Sequence, residues 1–190
     1  MRLTGGNLKG KKLSPKGLGS SSAHGALRAT GSKVREALFN IIGPQIEGAV
    51  FADIFAGSGT VGMEAMSRGA LKVYFIEPDK RRAREIEDML CDCGCASKAV
   101  IKNIKAGAFI DMAQEEGLNI DLVFLDPPYG SSELDVTITR LGESTALADN
   151  ALVIAEHSKR GETLPDDAGC LDKHKEYKYG ETILTLYRKG

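Results

Sequence analysis

The sequence predicts an α/β protein built on a doubly wound, mostly parallel sheet, and three observations predict this class. Short apolar runs alternate with helix-spaced segments between residues 49 and 156. A glycine-rich turn follows the first of those runs, as in nucleotide-binding βα units. The chain ends on two segments around Gly180 that are typical of an antiparallel hairpin. Repeated βα units place a ligand beyond the carboxyl ends of the strands.

The alternation also gives the order of the elements in the body of the chain. Buried strands are predicted, from apolar runs, over 49–55, 71–76, 99–104, 121–125 and 151–156. Helices are predicted, from apolar residues at helical spacing, over 34–41, 63–68, 79–90, 108–116 and 133–141. The closing pair is predicted over 175–179 and 182–188. We therefore expect a seven-stranded, Rossmann-like sheet with an antiparallel C-terminal strand.

The start of the chain is organised differently from the body. Residues 1–13 alternate loosely around a Gly-Gly-Asn turn at 5–7, which predicts a short β-hairpin. Residues 14–32 are rich in Gly, Ser and Ala and indicate a long loop. Thr30 or Ser32 is expected to cap the helix that follows, because a hydroxyl at that position accepts a hydrogen bond from a helix amide.

The composition excludes some classes of protein. At 190 residues, the chain is long enough for one domain with a buried core. Its hydrophobic fraction of 42% and charged fraction of 27% are ordinary for a soluble globular protein. No apolar run approaches the ~20 residues that span a bilayer, and no signal segment is evident. The four cysteines suit a reducing compartment. We therefore expect a cytoplasmic protein with no membrane partner.

The charge is distributed unevenly along the chain. The net charge is −1, yet residues 1–40 contain eight basic residues and one acidic residue. This arm therefore carries a charge of +7 and the remainder carries −8. A basic arm on an acidic body indicates contact with a polyanion such as nucleic acid. The alternative is a solvated basic surface that has no partner.

The most informative motif is the turn that follows the apolar run 122–125. Asp126 precedes two prolines, which hold the backbone outside the helical region and have no N–H to donate. The turn therefore presents the Asp126 carboxylate, the carbonyls of Pro127 and Pro128, and the ring of Tyr129. Such an acceptor-rich pocket with a stacking face suits a flat base with an exocyclic NH2 group. The alternative is an ordinary turn that ends a strand.

A second motif, the glycine-rich segment 53–62, indicates a cofactor site. Gly57 and Gly59 let a ligand approach the backbone closely, and Glu77 ends the second strand. The segment also fits the G-x-G-x-x-G pattern of dinucleotide sites, in which a helix N-terminus binds pyrophosphate and the acid binds a ribose. Another alternative is that these glycines only form a tight turn.

Two details favour S-adenosylmethionine over a dinucleotide. Asp53 lies at the end of the first strand, where a carboxylate suits the cationic methionine end of that cofactor and would repel pyrophosphate. The dinucleotide interpretation also leaves the turn at 126–129 without a function. Glu77 can accept the ribose hydroxyls of either cofactor.

Taken together, the segments 53–59 and 126–129 and the acid Glu77 resemble the class I S-adenosylmethionine-dependent amino-methyltransferases, which modify exocyclic amines of bases. The segments 5–13 and 28–40 narrow the resemblance. They are similar to the basic hairpin and to the segment before the first strand in bacterial 16S rRNA guanine-N2 methyltransferases of the RsmD type. This resemblance covers nearly the whole chain.

The resemblance implies methyl transfer to the N2 amine of a guanine in 16S rRNA, either free or in the assembling small ribosomal subunit, by a monomer. It implies an N-terminal hairpin and loop over 1–27 and a methyltransferase domain over 28–190. The catalytic residues it implies are Asp126, Pro127, Pro128 and Tyr129. The cofactor-binding residues are Thr30, Asp53, Phe55, Gly57, Ser58, Gly59, Glu77, Pro78, Ala106 and Asp126. The RNA-binding residues are Arg2, Lys9, Lys11, Lys12 and Arg28.

Ala29, Gly31 and Lys105 depart from residues that are common in the family, and the departure at Lys105 affects the expected cofactor site. An Asp or Asn usually meets the adenine amine after the third strand, and the equivalent here is Lys105. Because lysine cannot accept that hydrogen bond, backbone groups near Ala106 are expected to hold the adenine instead. The departure keeps open a different class of function, an RNA-binding module that has lost catalysis. A DNA amino-methyltransferase and a nicotinamide-dependent oxidoreductase are the alternatives within the enzyme class.

Three other features carry no predicted chemistry. The cysteines at 91, 93 and 95 do not have the usual spacing of zinc ligands, so no metal is expected. Glu156 and His157 end the fifth strand near the expected cleft, where a structural pairing is favoured over catalysis. The resemblance implies that the start of the helix with Arg35 lies near the carboxylate of the cofactor. A structural role for Arg35 is equally compatible with the sequence, through an ion pair with neighbours of Glu36 or with acids at the sheet edge.

Overall fold

A computed structural model describes residues 2–13, 31–128, 131–159 and 164–190 of the chain. Within these residues, a single eight-stranded sheet carries helices on both faces. Its strand order is β3-β2-β1-β4-β5-β8-β7-β6. The strands are β1 Val50–Ile54, β2 Lys72–Ile76, β3 Ala99–Lys102, β4 Ile120–Leu125, β5 Leu147–Ser158, β6 Asp167–Ala168, β7 Leu171–Tyr179 and β8 Thr182–Lys189. The helices are α1 Ser32–Ile42, α2 Thr60–Ser67, α3 Lys80–Cys93, α4 Ala106–Glu115 and α5 Glu133–Glu143.

The predicted fold class is confirmed. Strands β1 to β5 pair in parallel, and β8 pairs antiparallel with β5. The sheet has eight strands where seven were expected, because the two-residue strand β6 is too short to leave a pattern. Strand β5 also begins earlier than predicted. Its first residues include Asn150 in a left-handed conformation (φ 60°), where the pairing with β4 shifts register and the apolar pattern is broken.

Side chains of the central strands pack alternately into two cores. Phe51 belongs to the core beneath α1, α2 and α3, whereas its neighbour Ala52 belongs to the core beneath α4 and α5. Central strands that are covered on both faces have continuous apolar sequences, and for this reason they could be predicted from the sequence. The carboxyl ends of β1, β2 and β4 consequently meet at one edge of the sheet.

The N-terminal segment 2–13 forms a small hairpin closed by a bridge between Arg2 and Lys12. Leu3 and Leu13 are buried in the core under α1 to α3. The predicted boundary at residue 27 lies outside the described residues and stays a prediction. The predicted cap of α1 by Ser32 is wrong. Gly31 is the N-cap, no side chain caps the helix, and Ser32 is its first residue.

Within the described ranges, no helix is both long enough and apolar enough to cross a membrane.

Candidate functional site

Three acids from three strands converge at the carboxyl edge of the sheet. Asp53 is in β1, Glu77 follows β2 and Asp126 follows β4. The negative charges of Asp126 and Glu77 both act on Asp53, so the three carboxyl groups lie close together. The sequence predicted this convergence, because parallel strands end at the same edge.

Asp53 is a buried carboxyl group that forms no ion pair with any cation in the described part of the chain. Its side chain is 2% exposed, and Oδ2 accepts a hydrogen bond of 2.8 Å from the Gly62 amide in α2. Burial, and to a smaller extent the charges of Asp126 and Glu77, raise the pKa of Asp53 to about 8 against the effect of that hydrogen bond. A positive ligand group would lower this pKa again. This environment therefore fits the ammonium of the methionine end of S-adenosylmethionine.

Glu77 is buried as well, but hydrogen bonds hold both of its carboxylate oxygens. Oε2 accepts from the Gly57 amide at 2.8 Å, and Oε1 accepts from the Asp79 amide at 2.8 Å. A carboxylate has about four acceptor sites, so two bonds leave capacity for ribose hydroxyls. Glu77 thus ties the glycine loop to the end of β2 and remains able to accept hydrogen bonds from a ligand.

The glycine loop is set by unusual backbone conformations. Phe55 has φ 72°, which is rare for a bulky residue, while Gly57 and Gly59 have φ 53° and 69°. The amides of Phe55 and Ala56 both donate to the carbonyl of Ile76, which holds the loop against β2. Strained residues of this kind cluster at ligand sites.

Packing as well as ligand approach explains two of the glycines. A Cβ on Gly59 would lie 2.8 Å from Cγ1 of Ile86 in α3. A Cβ on Gly62 would clash with the ring of Phe75 in β2. The third glycine of the motif thus permits close contact between α2 and the sheet. The pattern alone could not separate this role from a phosphate-binding role.

The same contacts argue against a dinucleotide. In dinucleotide sites, loop amides bind pyrophosphate. Here the Gly57 amide donates to Glu77 and the Gly62 amide donates to Asp53. A pyrophosphate would have to displace one acid and approach the other. The arrangement therefore suits a cationic ligand.

The turn after β4 presents acceptors next to these acids. Asp126 is half-buried, Pro127 is buried and Pro128 is exposed. The Pro128 carbonyl accepts hydrogen bonds from the amide and the hydroxyl of Ser131, at 3.3 and 2.8 Å. Ser131 was not predicted, although a serine three residues after a proline carbonyl is a recognisable turn signal. Tyr129 and the predicted residues Thr30 and Arg28 lie outside the described part of the chain.

The side of the site expected to hold adenine is lined by α4 and α5. A cavity of about 450 Å³ is bounded by Phe55, Lys105, Ala106, Gly107, Ala108, Ser132, Glu133, Val136, Thr137 and Arg140. Lys105 is exposed at the N-cap of α4, and Ala106 is buried at its first position.

Pro78 and Ser58, two further residues predicted to bind the cofactor, lie at the exposed segment after β2 and beside the start of α2. The prediction missed Asn103, whose Nδ2 donates to the carbonyls of Glu77 and Pro78 at 2.8 and 2.9 Å. Asn103 thus holds the exposed segment after β2 in place. Ser58 pairs its hydroxyl with that of Thr60 at 3.1 Å, beside the start of α2.

The predicted RNA-contacting residues of the hairpin are Arg2, Lys9, Lys11 and Lys12, and all four side chains are exposed. The Lys11 ammonium also donates to the Asp92 carbonyl at 3.4 Å. The structure therefore presents these cations on one small element at the surface.

Glu64 in α2 fastens this hairpin to the body. It accepts hydrogen bonds from the Thr4 amide and hydroxyl, both at 2.8 Å, and from Arg68 Nε at 2.9 Å. Arg35, fully buried in α1, lies 3.5 Å from Glu64 and donates to the Arg2 carbonyl. Burial acts to raise the pKa of Glu64, but these donors outweigh it, so the pKa is lowered. Arg35 is thus structural, and its partner is an acid in a helix.

A further attachment comes from Ser67, at the end of the same helix. Its hydroxyl donates to the Gly5 carbonyl at 2.6 Å and accepts from the Leu8 amide at 2.9 Å. Its carbonyl accepts from the Asn7 amide at 2.7 Å. The sequence carried no signal for these contacts, because they join Ser67 to backbone groups that are more than fifty positions away.

Among the described residues, no group of three or more acidic, histidine or cysteine side chains is arranged to hold a metal ion. The cysteines at 91, 93, 95 and 170 are free thiols.

Comparisons with known proteins show which family the chain belongs to. The family model described as "Conserved hypothetical protein 95" matches residues 1–188. Ribosomal RNA small subunit methyltransferase D of Escherichia coli is 34% identical over 190 residues, which are 100% of this chain and 90% of that protein. The Haemophilus influenzae protein of the same name is 37% identical over 150 residues, 78% of this chain and 77% of that one.

A solved structure described as "Putative methyltransferase yhhF" from Escherichia coli superposes with a TM-score of 0.80 and 32% identity. The superposition covers 100% of this chain and 97% of that one. With a family model that matches almost end to end and relatives aligned over most of both lengths, the chain belongs to the Conserved hypothetical protein 95 family of RsmD-type methyltransferases.

Proposed function

We propose that this protein transfers a methyl group from S-adenosylmethionine to the exocyclic N2 amine of a guanine in small-subunit rRNA. Membership of the RsmD-type family supports an S-adenosylmethionine-dependent rRNA methyltransferase. The choice of an amine as target rests on one observation, the acceptor-rich Asp126-Pro127 turn that lies beside the buried acid Asp53.

The cofactor-binding part of the site would use residues of the first three strands. Asp53 would pair with the ammonium group, and Glu77 would accept from the ribose hydroxyls. The loop residues Phe55, Gly57, Ser58 and Gly59, with Pro78 and Ala106, would surround the remainder, and Thr30 is a further candidate. S-adenosylmethionine supplies an electrophilic methyl group on a sulfonium. Asp53, which has one amide donor and two acidic neighbours, fits such a cation, and Glu77 keeps the capacity to accept hydrogen bonds from the ribose.

The Asp126 turn would orient the amine. The lone pair of a guanine amine is conjugated with the ring, so the amine is a poor nucleophile. The Asp126 carboxylate and the Pro127 carbonyl would accept its two N–H groups and favour a pyramidal nitrogen. Much of the rate would then come from positioning, which needs no strong base before attack. Asp126 or water would take the proton that the methylated nitrogen loses.

The remaining contacts would hold the RNA. Tyr129 would stack on the target base, which typically contributes ~1–3 kcal/mol. Arg2, Lys9, Lys11, Lys12 and Arg28 would contact phosphates, so binding would weaken with salt. A paired guanine would have to leave its stack to reach the turn. The substrate would be 16S rRNA or the assembling small subunit, and the protein would act as a cytoplasmic monomer with the domain boundary at 27–28.

Nucleoside analysis tests this proposal. Small-subunit rRNA from cells that lack the protein, both free and in particles, is incubated with the purified protein and labelled S-adenosylmethionine. Digestion and mass spectrometry should find N2-methylguanosine at one position, which fragment mapping then locates. Label only in N6-methyladenosine or N4-methylcytidine would overturn the assignment to guanine. Cofactor binding without any transfer would favour the non-catalytic RNA-binding module.

A further inference from the structure

Glu156 is a buried acid on the strand next to the one that ends at Asp126. It lies near the carboxyl end of β5 and is 4% exposed. Leu125 in β4 pairs with Ala155 in β5, so Asp126 and Glu156 occupy the same level of the sheet. Two carboxyl groups at one level of adjacent strands lie within reach of one ligand.

The two acids also belong to the same face of the sheet. Phe124 and Ile154 pair with each other and pack into the core under α1 to α3. Alternation along a strand brings the residue two positions later to the same face, so Glu156 lies on this side. Leu184, its partner in β8, packs into that core too. The charge of Asp126 acts on Asp53, whose carboxylate also accepts from α2 on this side.

The strand order determines which part of a bound base can contact Glu156. In the sequence β1-β4-β5, the glycine loop lies on one side of Asp126 and Glu156 lies on the other. If Asp126 holds an amine and the methyl group arrives from the β1 side, the ring of the base extends towards β5. The ring atom beside the amine then faces Glu156.

That ring atom distinguishes the three bases that carry exocyclic amines. In adenine and cytosine, the ring nitrogen beside the amine is an acceptor with a lone pair. In guanine, the amine-bearing carbon lies between N3, which is also an acceptor, and N1, which carries a hydrogen and donates. Guanine alone can therefore turn a ring donor beside the amine towards Glu156. A carboxylate accepts hydrogen bonds only, so it attracts the guanine edge and repels the other two. The Asp126 turn alone fits any of these amines.

We propose that Glu156 is a specificity residue that accepts the N1–H of the target guanine, an inference that rests on the proposed N2 activity. Glu156 is engaged within the protein as well. A carboxylate has about four acceptor sites, so it can accept from the base in addition. His157 does not share this role, because its Nε2 bonds with the Thr185 hydroxyl at 2.8 Å in the interior.

The test replaces the target guanine by 2-aminopurine, which keeps the amine but has a lone pair at N1. The probe is a synthetic RNA that spans the nucleotide mapped above, assembled with small-subunit proteins if free RNA is inactive. The wild-type protein should prefer guanine, measured as a ratio of kcat/KM values, by about 10- to 100-fold. Glu156→Gln should lower this ratio at least about 10-fold, because an amide can donate to N1.

The matched control is Asp149→Asn, which makes the same charge change on the same strand at an exposed position. Its ratio should equal that of the wild type. Since 2-aminopurine also lacks O6, only the change of ratio between proteins reports on N1. A Glu156→Gln variant that is folded and slower with both RNAs, at an unchanged ratio, would show a structural role and overturn the inference.

The wild-type measurement keeps the inference testable even if Glu156→Gln does not fold. Equal use of guanine and 2-aminopurine by the wild-type protein would overturn it and leave N2 methylation intact. Failure to methylate the guanine RNA at all would instead overturn the proposed function, and the inference with it.

Discussion

Two buried acids contact the same helix and have opposite properties. Asp53 accepts the amide of Gly62 in α2, and Glu64 is part of that helix. Their side chains are almost fully buried, yet the pKa of Asp53 is raised to about 8 and the pKa of Glu64 is lowered.

The difference comes from their partners. Glu64 has donors from Thr4 and Arg68 and a buried cation in Arg35. Asp53 has one amide and two acidic neighbours. Burial alone therefore does not indicate a role. An acid whose charge is satisfied within the protein serves the structure, whereas an acid that burial and acidic neighbours keep protonated is a candidate for a ligand site.

The largest expected effect is a loss of methyl transfer that leaves cofactor binding intact, and it concerns Asp126, the residue proposed to bind the target amine. Asp126→Ala should reduce methyl transfer by at least about 1000-fold, because the amine loses the acceptor that orients it. S-adenosylmethionine binding, measured by calorimetry, should stay mostly intact. Removing this negative charge should also lower the pKa of Asp53. Retained turnover in a quantitative transfer assay would contradict the mechanism.

The second prediction concerns Glu64, the acid whose charge is satisfied within the protein. Glu64→Gln should lower the free energy of unfolding by about 3–5 kcal/mol, because the fully buried Arg35 would lose the charge of the acid that lies 3.5 Å from it. The measurement is denaturant unfolding. A matched control is Glu85→Gln, which removes an acid in an exposed ion pair of α3 and should change stability by less than about 1 kcal/mol. Equal losses in both variants would contradict the role of Glu64.

The pH dependence of stability should differ in sign between the two acids. Asp53 keeps its proton in the folded state between pH 3.8 and about 8, so its contribution to stability is lost as the pH rises through that range. Glu64, with a lowered pKa, contributes stability above its unfolded value of 4.5 and loses it as the pH falls. Unfolding curves of Asp53→Asn across pH 4–8, and of Glu64→Gln from about pH 5 downwards, should lose these opposite slopes, each at most about 1.4 kcal/mol per pH unit.

Cofactor binding should remove the proton from Asp53. At pH 7 the ammonium would lower this pKa, so S-adenosylmethionine binding should release up to one proton. Calorimetry in two buffers with different ionisation enthalpies measures this number. Asp53→Asn should abolish the release and weaken binding about 10-fold or more, while the folded protein becomes more stable. An unchanged proton release in the variant would assign the proton to another group.

The smallest effect concerns the hairpin that Glu64 fastens. Replacing Lys9, Lys11 and Lys12 together by alanine should weaken RNA binding uniformly and reduce the salt slope by about 3, since each phosphate contact contributes about one counterion. Filter binding over a range of salt concentrations measures both. Stability should hardly change, because all three side chains are exposed. An unchanged salt slope would place the RNA on another surface.

The sequence predicted the fold class and the edge where the site forms, for a physical reason. Strands such as β1 and β4 are covered on both faces, so each must be a continuous apolar run, and the polar residue after the run must reach the edge. Glu77 and Asp126 were predicted at the edge in this way, and Asp53 was predicted there as the acid near the end of the first strand, just before the glycine loop.

What the sequence did not predict depends on contacts between distant polar residues. Glu64 and Thr4 are sixty positions apart, and nothing in either segment indicates the pair. The role of Gly62 was also ambiguous, because a glycine required for helix packing looks the same in the sequence as one required by a ligand. Ser131 had a local signal that was missed.

The two edges of the sheet affect whether copies of this chain can associate by pairing their edge strands. β3 has four residues and β6 has two, so beyond β6 most of β7 forms the margin of the sheet. β7 carries Lys175 and Lys178, both exposed, whereas Lys173 is paired with Asp166. Lysines and short strands at a margin discourage strand addition from another chain, and with it amyloid-like stacking. These two lysines are therefore suited to protecting the margin of the sheet, a task separate from the RNA contact proposed for the basic hairpin.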